Sequence, residues 1–113
     1  MTETHIYKLL TDAELEAATA SGVTDVPVDR EDGYVHFSTK GQVQETADKY
    51  FKGRGVVHLV RFAIADLPEL KWEESRGGQL FPHLYAPLEL KLADVTWRLT
   101  ARPDGILIMP EDF

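Results

Sequence analysis

The stretch Val95-Thr96-Trp97-Arg98-Leu99, followed by Arg102-Pro103-Asp104-Gly105 and then Ile106 to Met109, decides the fold class. Side chains alternate across a strand, so Val95, Trp97 and Leu99 fall on one face and Thr96 and Arg98 on the other. Arg-Pro-Asp-Gly is turn chemistry, and Ile106 to Met109 then returns antiparallel to the strand before it. Working back, Leu88 to Leu92 alternates as Leu-Glu-Leu-Lys-Leu, which predicts a half-exposed strand. Val56 to Ala63 has the β-branched density of a well-buried strand, Ile64 to Leu67 runs into a break at Pro68, and Leu70 to Glu73 predicts another short strand. The second half of the chain is therefore β-rich.

The first half supplies the helices. His5 to Leu10 reads as a first strand. Thr11 and Glu14 form a Thr-x-x-Glu capping box, in which hydroxyl and carboxylate each satisfy a free backbone N–H, so a helix is expected from about Asp12 to Ala20, closed by Gly22. Leu15 and Ala18 should face inward. Val26-Pro27-Val28 is expected to be extended, because proline fixes its own backbone and restricts the residue before it. Asp29 to Gly33 reads as a polar turn. Tyr34 to Ser38 reads as a strand with Val35 and Phe37 on the core face and Tyr34, His36 and Ser38 on the other. Thr39 and Gln42 repeat the capping-box spacing, with Ser38 or Thr39 as the cap, so a second helix is expected over about Lys40 to Phe51, with Val43, Ala47, Tyr50 and Phe51 as its buried stripe. Two main helices early and several strands late predict an α+β domain with a mostly antiparallel, curved sheet.

Bulk properties narrow the function classes. A chain of 113 residues is long enough for one core and so for a single domain spanning 1–113. Nineteen acidic against twelve basic residues give a net charge of -7, which opposes general nucleic-acid binding. The absence of cysteine removes disulfides, thiolate metal ligands and thiol nucleophiles together. No segment approaches the roughly 20 apolar residues needed to span a bilayer, and no basic head precedes an apolar run, so no membrane association and a cytoplasmic location are expected. The sequence carries no signal for oligomeric state. The nucleotide-loop, nucleophile-elbow and His-Glu-x-x-His signatures are missing, and no metal is expected.

Two stretches concentrate reactive side chains. Trp72 to Tyr85 holds two carboxylates, a guanidinium, a glycine pair, an imidazole and a phenol within fourteen residues. Adjacent strand residues point opposite ways, so only one of Glu73 and Glu74 faces a given pocket. Arg76 offers a planar fork for phosphate or carboxylate, beside Gly77-Gly78 where backbone can approach a ligand. His83 follows a proline among apolar residues, conditions for a defined tautomer, and Tyr85 shares its side of an extended chain. In Tyr34 to Thr39, His36 stands with Tyr34 and Ser38 at a strand-to-helix junction, where free N–H groups make an anion site. His58 lies inside an apolar strand with no polar companion and is read as structural. The plainer alternative is a surface turn around Arg76, with His36 and His83 satisfying backbone groups.

Asp32-Gly33-Tyr34-Val35-His36-Phe37-Ser38-Thr39, together with Trp72-Glu73, Ser75-Arg76-Gly77-Gly78 and Phe81-Pro82-His83-Leu84-Tyr85, resembles the small bacterial family known as domain of unknown function 952. The likeness runs from Ile6-Tyr7-Lys8 to the segment after Tyr85, with Ala86 where the family usually has glycine. The resemblance implies a fold like that of ADP-ribosyltransferases, a split and strongly bent antiparallel sheet with few helices. It further implies His36 on a ribose hydroxyl of NAD, Tyr85 stacked on nicotinamide, and Glu73 stabilising an oxocarbenium-like transition state. The expected function is a pocket for a nucleotide or NAD-related small molecule, with His36, Glu73 and His83 as catalytic candidates and Tyr34, Ser38, Thr39, Arg76 and Tyr85 as ligand-binding candidates. The alternative expectation is a module that binds a small ligand or peptide without turnover.

Overall fold

The computed structural model describes residues 3–113, with the side chain of Arg76 outside the described set. Two antiparallel sheets form the α+β framework. The first has the order β1-β3-β6-β7, from β1 (His5–Thr11), β3 (Val57–Ala63), β6 (Ala93–Ala101) and β7 (Leu107–Ile108). The second has the order β2-β5-β4, from β2 (Val35–His36), β4 (Leu70–Glu74) and β5 (Leu80–Leu84). They join where Ser38 bridges the outer edge of β1: Tyr7 N–H donates to Ser38 O at 2.8 Å and Ser38 N–H to Tyr7 O at 2.9 Å.

Alternation along β1 and β3 buries both faces of the first sheet, as expected for a sheet covered on two sides. Ile6, Leu10, Val60 and Phe62 pack with Val35, Phe37 and Leu84 of the second sheet and with Val26 and Leu88. Tyr7, Leu9, Val57, Leu59 and Leu99 pack on the opposite face against Val43 and Ala47 of α3 (Val43–Tyr50) and against Leu107. The hairpin from β6 to β7 forms as its turn chemistry predicts, with Arg102 N–H donating to Ile106 O at 2.8 Å and Thr100 opposite Ile108. No helix among the described residues is long and apolar enough to cross a membrane.

Helix α1 (Asp12–Ser21) starts with the expected capping box: Glu14 N–H donates to Thr11 Oγ1 at 3.3 Å and Thr11 N–H to Glu14 Oε1 at 2.9 Å. Such a cap contributes about 1 kcal/mol. Ala18 is buried and Leu15 packs against the core, as expected.

Several local expectations are corrected, among them the burial of Tyr50, which is exposed rather than part of the buried stripe of α3. Pro27 to Asp32 is a helix, α2, rather than an extended segment and a turn. Val26 is its extended N-cap, Pro27 occupies the first turn where a missing N–H costs nothing, and Gly33 ends it at φ 85°. Leu88 to Leu92 is not a strand: Val23 pairs with Glu89 through a single bridge, and Leu90–Leu92 closes a 3-10 turn. Helix α3 begins three residues later than the spacing predicts, because a turn from Thr39 precedes it. In that turn Gln42 accepts from Thr39 N–H at 3.0 Å, but the Thr39 hydroxyl does not cap the helix. His58 does have a polar companion, Asp12 Oδ1 at 2.9 Å from its Nε2.

Candidate functional site

The second sheet brings the two reactive stretches together. Trp72 to Tyr85 is itself a hairpin of β4 and β5, and β2 pairs with the other edge of β5, placing His36 directly opposite His83. Their ring centroids lie 5.4 Å apart. Tyr34 stacks on His83 at 4.2 Å and also contacts His36 at 4.7 Å and Tyr85 at 5.3 Å. Two imidazoles and two phenols thus form one aromatic cluster.

Strand parity selects between the paired glutamates. Glu73 and Lys71 share a face of the hairpin with His83 and Tyr85, while Glu74 lies on the other. Glu73 Oε1 accepts from Tyr85 Oη at 2.7 Å and lies 2.8 Å from His83 Nδ1. The phenol hydrogen bond, followed by that of the imidazole, holds Glu73 below the usual carboxylate range. The same carboxylate pushes Tyr85 up to about 12. Glu73 therefore stays anionic near neutral pH, which suits an electrostatic stabiliser better than a general base.

His36 is anchored by residues that do not figure among the sequence candidates. Its Nδ1 lies 2.6 Å from Asp29 Oδ1 and its Nε2 2.9 Å from Asp32 Oδ2. Because α2 is a helix, Asp29 and Asp32 are i and i+3 and share a face. Carboxylates only accept, so each contact is a hydrogen bond in which the ring nitrogen is the donor. Asp29 Oδ1 also accepts the His36 backbone N–H at 3.2 Å, and Lys8 Nζ donates to Asp29 Oδ2 and to His36 O, each at 2.8 Å. Burial acts to raise Asp29, but hydrogen bonds from His36 and attraction to Lys8 outweigh it and leave the carboxyl below its usual value. Burial pulls Lys8 below the usual lysine range against the attraction of Asp29. The two ends of this contact are unequally supported, since Asp29 has three donors whereas Lys8, more deeply buried, has the attraction of Asp29 and, more weakly, of Glu14.

A cleft of about 540 Å³ opens beside this cluster, within the range of small-ligand sites. Lys8, Asp32, Tyr34, His36, Ser38 and His83 line it, as do Tyr50, Phe51 and Arg54 from the end of α3 and beyond. Ser38 is more buried than its strand pattern predicts, with Oγ 2.9 Å from Thr46 Oγ1. Thr39 and Glu73 line neither this cleft nor a second one of about 360 Å³, which shares Tyr34 and takes in Tyr85. The N–H groups of Gln42 and Val43 both donate to Thr39 O, so at this junction these two are taken by the turn itself. The predicted role of Arg76 concerns a side chain outside the described residues. Arg54, at the cleft and not among the candidates, donates to Tyr50 O at 3.3 Å.

The sequence did hold signals for the missed groups. Lys8 interrupts the apolar run Ile6 to Leu10, which implies a buried partner, and Pro27 with Gly33 brackets a short helix carrying Asp29 and Asp32.

A family model described as "Protein of unknown function (DUF952)" matches residues 9–97. The chain belongs to the DUF952 family. It is similar to protein CC0527 from Caulobacter crescentus, whose crystal structure matches with 42% identity and a TM-score of 0.88, covering 93% of this chain and 94% of that one. The solution structure of CC0527 matches with 42% identity and a TM-score of 0.80, covering 90% of each chain. No curated protein matches the sequence. The DUF952 match spans β2, β4 and β5, and so every strand that positions the cluster.

Proposed function

We infer that this DUF952 protein binds an NAD-related nucleotide in the cleft beside His36 and His83 and transfers its ribosyl group. The observation that carries the reading is the Glu73 carboxylate held by Tyr85 and His83 at 2.7 and 2.8 Å, within a set of stacked aromatic rings. Aromatic faces beside a fixed anion favour a flat cation, and the nicotinamide ring of NAD is one. When the bond between ribose C1′ and the nicotinamide nitrogen breaks, its electrons neutralise the departing ring and positive charge develops on the ribose, whose C1′ then bonds the oxygen of an incoming water or acceptor hydroxyl that gives up its proton to solvent. A carboxylate that stays ionised stabilises that charge without any proton transfer. Arg54 supplies a guanidinium for phosphate, and His36 a ring N–H for a ribose hydroxyl in exchange for its Asp32 contact. A division into two antiparallel sheets bridged at Ser38 supports an ADP-ribosyltransferase-like fold for the chain.

Thermal shift with NAD, ADP-ribose, nicotinamide mononucleotide and AMP tests binding, because a ligand of the folded state raises the melting temperature. Release of nicotinamide tests turnover. Glu73→Gln is expected to retain binding and lose about 10²-fold or more in turnover. Absence of any shift at millimolar ligand overturns the nucleotide reading.

A second reading, binding without turnover, is favoured by one observation. His36 spends both ring nitrogens, and Glu73 its Oε1, on partners within the chain, and the lowered pKa makes Glu73 a weak base. NAD binding that persists in His36→Ala and Glu73→Ala, with no nicotinamide released by the native protein, selects it.

A further inference from the structure

The geometry points to a homodimer formed by antiparallel pairing of β4 with β4 of a second copy, centred on Trp72. Strand β4 ends the second sheet, and among the described residues no strand pairs with its outer edge. In the first sheet, β1 is bridged on its outer edge by Ser38 at Tyr7.

Hydrogen-bond parity shows which groups face outward. Tyr85 N–H donates to Glu69 O and Ser75 N–H to Gln79 O, so residues 69 and 75, and by alternation 71 and 73, face β5. Pro82, opposite Trp72, has no N–H to offer. The N–H and C=O of Trp72 and Glu74 therefore point away from β5. Trp72 is 39% exposed, a large apolar ring on that open edge.

Charge selects the register. An antiparallel pair that uses the outward groups can be centred on 71, 72 or 73. Centring on Lys71 sets Lys71 against its copy and Glu69 against Glu73, and centring on Glu73 sets that carboxylate against itself. Like charges directly opposite are unfavourable. Centring on Trp72 instead sets Lys71 across from Glu73 of the second copy twice, and lets the two Trp72 residues exchange both backbone hydrogen bonds. The strand Leu70-Lys71-Trp72-Glu73-Glu74 is thus self-complementary in one register. The resulting six-stranded sheet would bring a second Lys71 ammonium beside the Glu73 carboxylate of each site. This inference does not depend on the identity of the ligand.

Sedimentation velocity from micromolar to millimolar protein is expected to show the mass of two chains at the upper end. Lys71→Glu replaces two attractive pairs with two repulsive ones and is expected to weaken association about a hundredfold. Trp72→Pro removes an N–H that points outward only, so the monomer keeps its β5 ladder while dimerisation is lost. Circular dichroism confirms that each variant is folded. Hydrogen exchange at the Trp72 amide should slow as concentration rises in the native protein. A native chain that stays monomeric at millimolar concentration, a dimer unaffected by both substitutions, or a Trp72 amide whose exchange ignores concentration overturns the proposal.

Discussion

Replacing Lys8 with methionine keeps the length of the side chain and removes its charge, and the cost follows from what is left behind. The Lys8 and Asp29 side chains are 5% and 7% exposed, so their 2.8 Å contact is a buried ion pair. Breaking such a pair from one side costs about 3–5 kcal/mol, because the surviving charge loses its partner without regaining water. Asp29 keeps the His36 ring and backbone N–H, which places Lys8→Met near the lower end, at about 3 kcal/mol. For a chain of this size that lowers the melting temperature by roughly 12–20 °C. Urea denaturation of the native protein, Lys8→Met, Asp29→Asn and the double variant completes a cycle. The double variant is expected to be less destabilised than the sum of the single ones by at least about 1.5 kcal/mol, since it leaves no orphaned charge. Additive costs, or a Lys8→Met variant within about 0.5 kcal/mol of the native protein, refute the view that Lys8 and Asp29 act as one unit holding His36.

Acid should attack the same unit. Asp29 titrates below its ordinary 3.8 in the folded protein, so its contribution is fully present above that value and is lost as pH falls through the folded value. Melting temperature followed from pH 6 toward pH 2 should therefore fall more steeply for the native protein than for Asp29→Asn; parallel curves contradict this. At the other end of the site, ultraviolet titration should find one phenol ionising near 12, and Glu73→Gln should bring it back toward the ordinary 10.0.

The parts of the fold written in local chemistry were legible. The hairpin from β6 to β7 declares itself through alternation around Arg-Pro-Asp-Gly, and α1 through a capping box and a terminal glycine, because each depends on residues within one turn of one another. Leu88 to Leu92 shows the limit of the pattern. A period of two becomes a strand only with a neighbour to bond, and Val23 offers one bridge. Pro27 shows another, since proline suits both an extended segment and the first turn of a helix, and packing of Val26 into the core decides between them. Of the site, strand parity identified the companionship of His83 and Tyr85 and the competition of Glu73 with Glu74. The support beneath His36 was not legible as a unit: Lys8, Asp29 and Asp32 come from two distant segments, and only tertiary packing places them within 3 Å of their partners.

If Tyr34 to Thr39 and Trp72 to Tyr85 form one ligand site, titration of NAD into isotope-labelled protein, followed by NMR, must register it in both stretches at once. Saturable shifts are expected at Tyr34, His36, His83 and Tyr85, with the two imidazoles responding together because their rings lie 5.4 Å apart. Spectra unchanged at millimolar NAD, or shifts confined to residues outside the β2-β5-β4 sheet and its cleft, would contradict the single site.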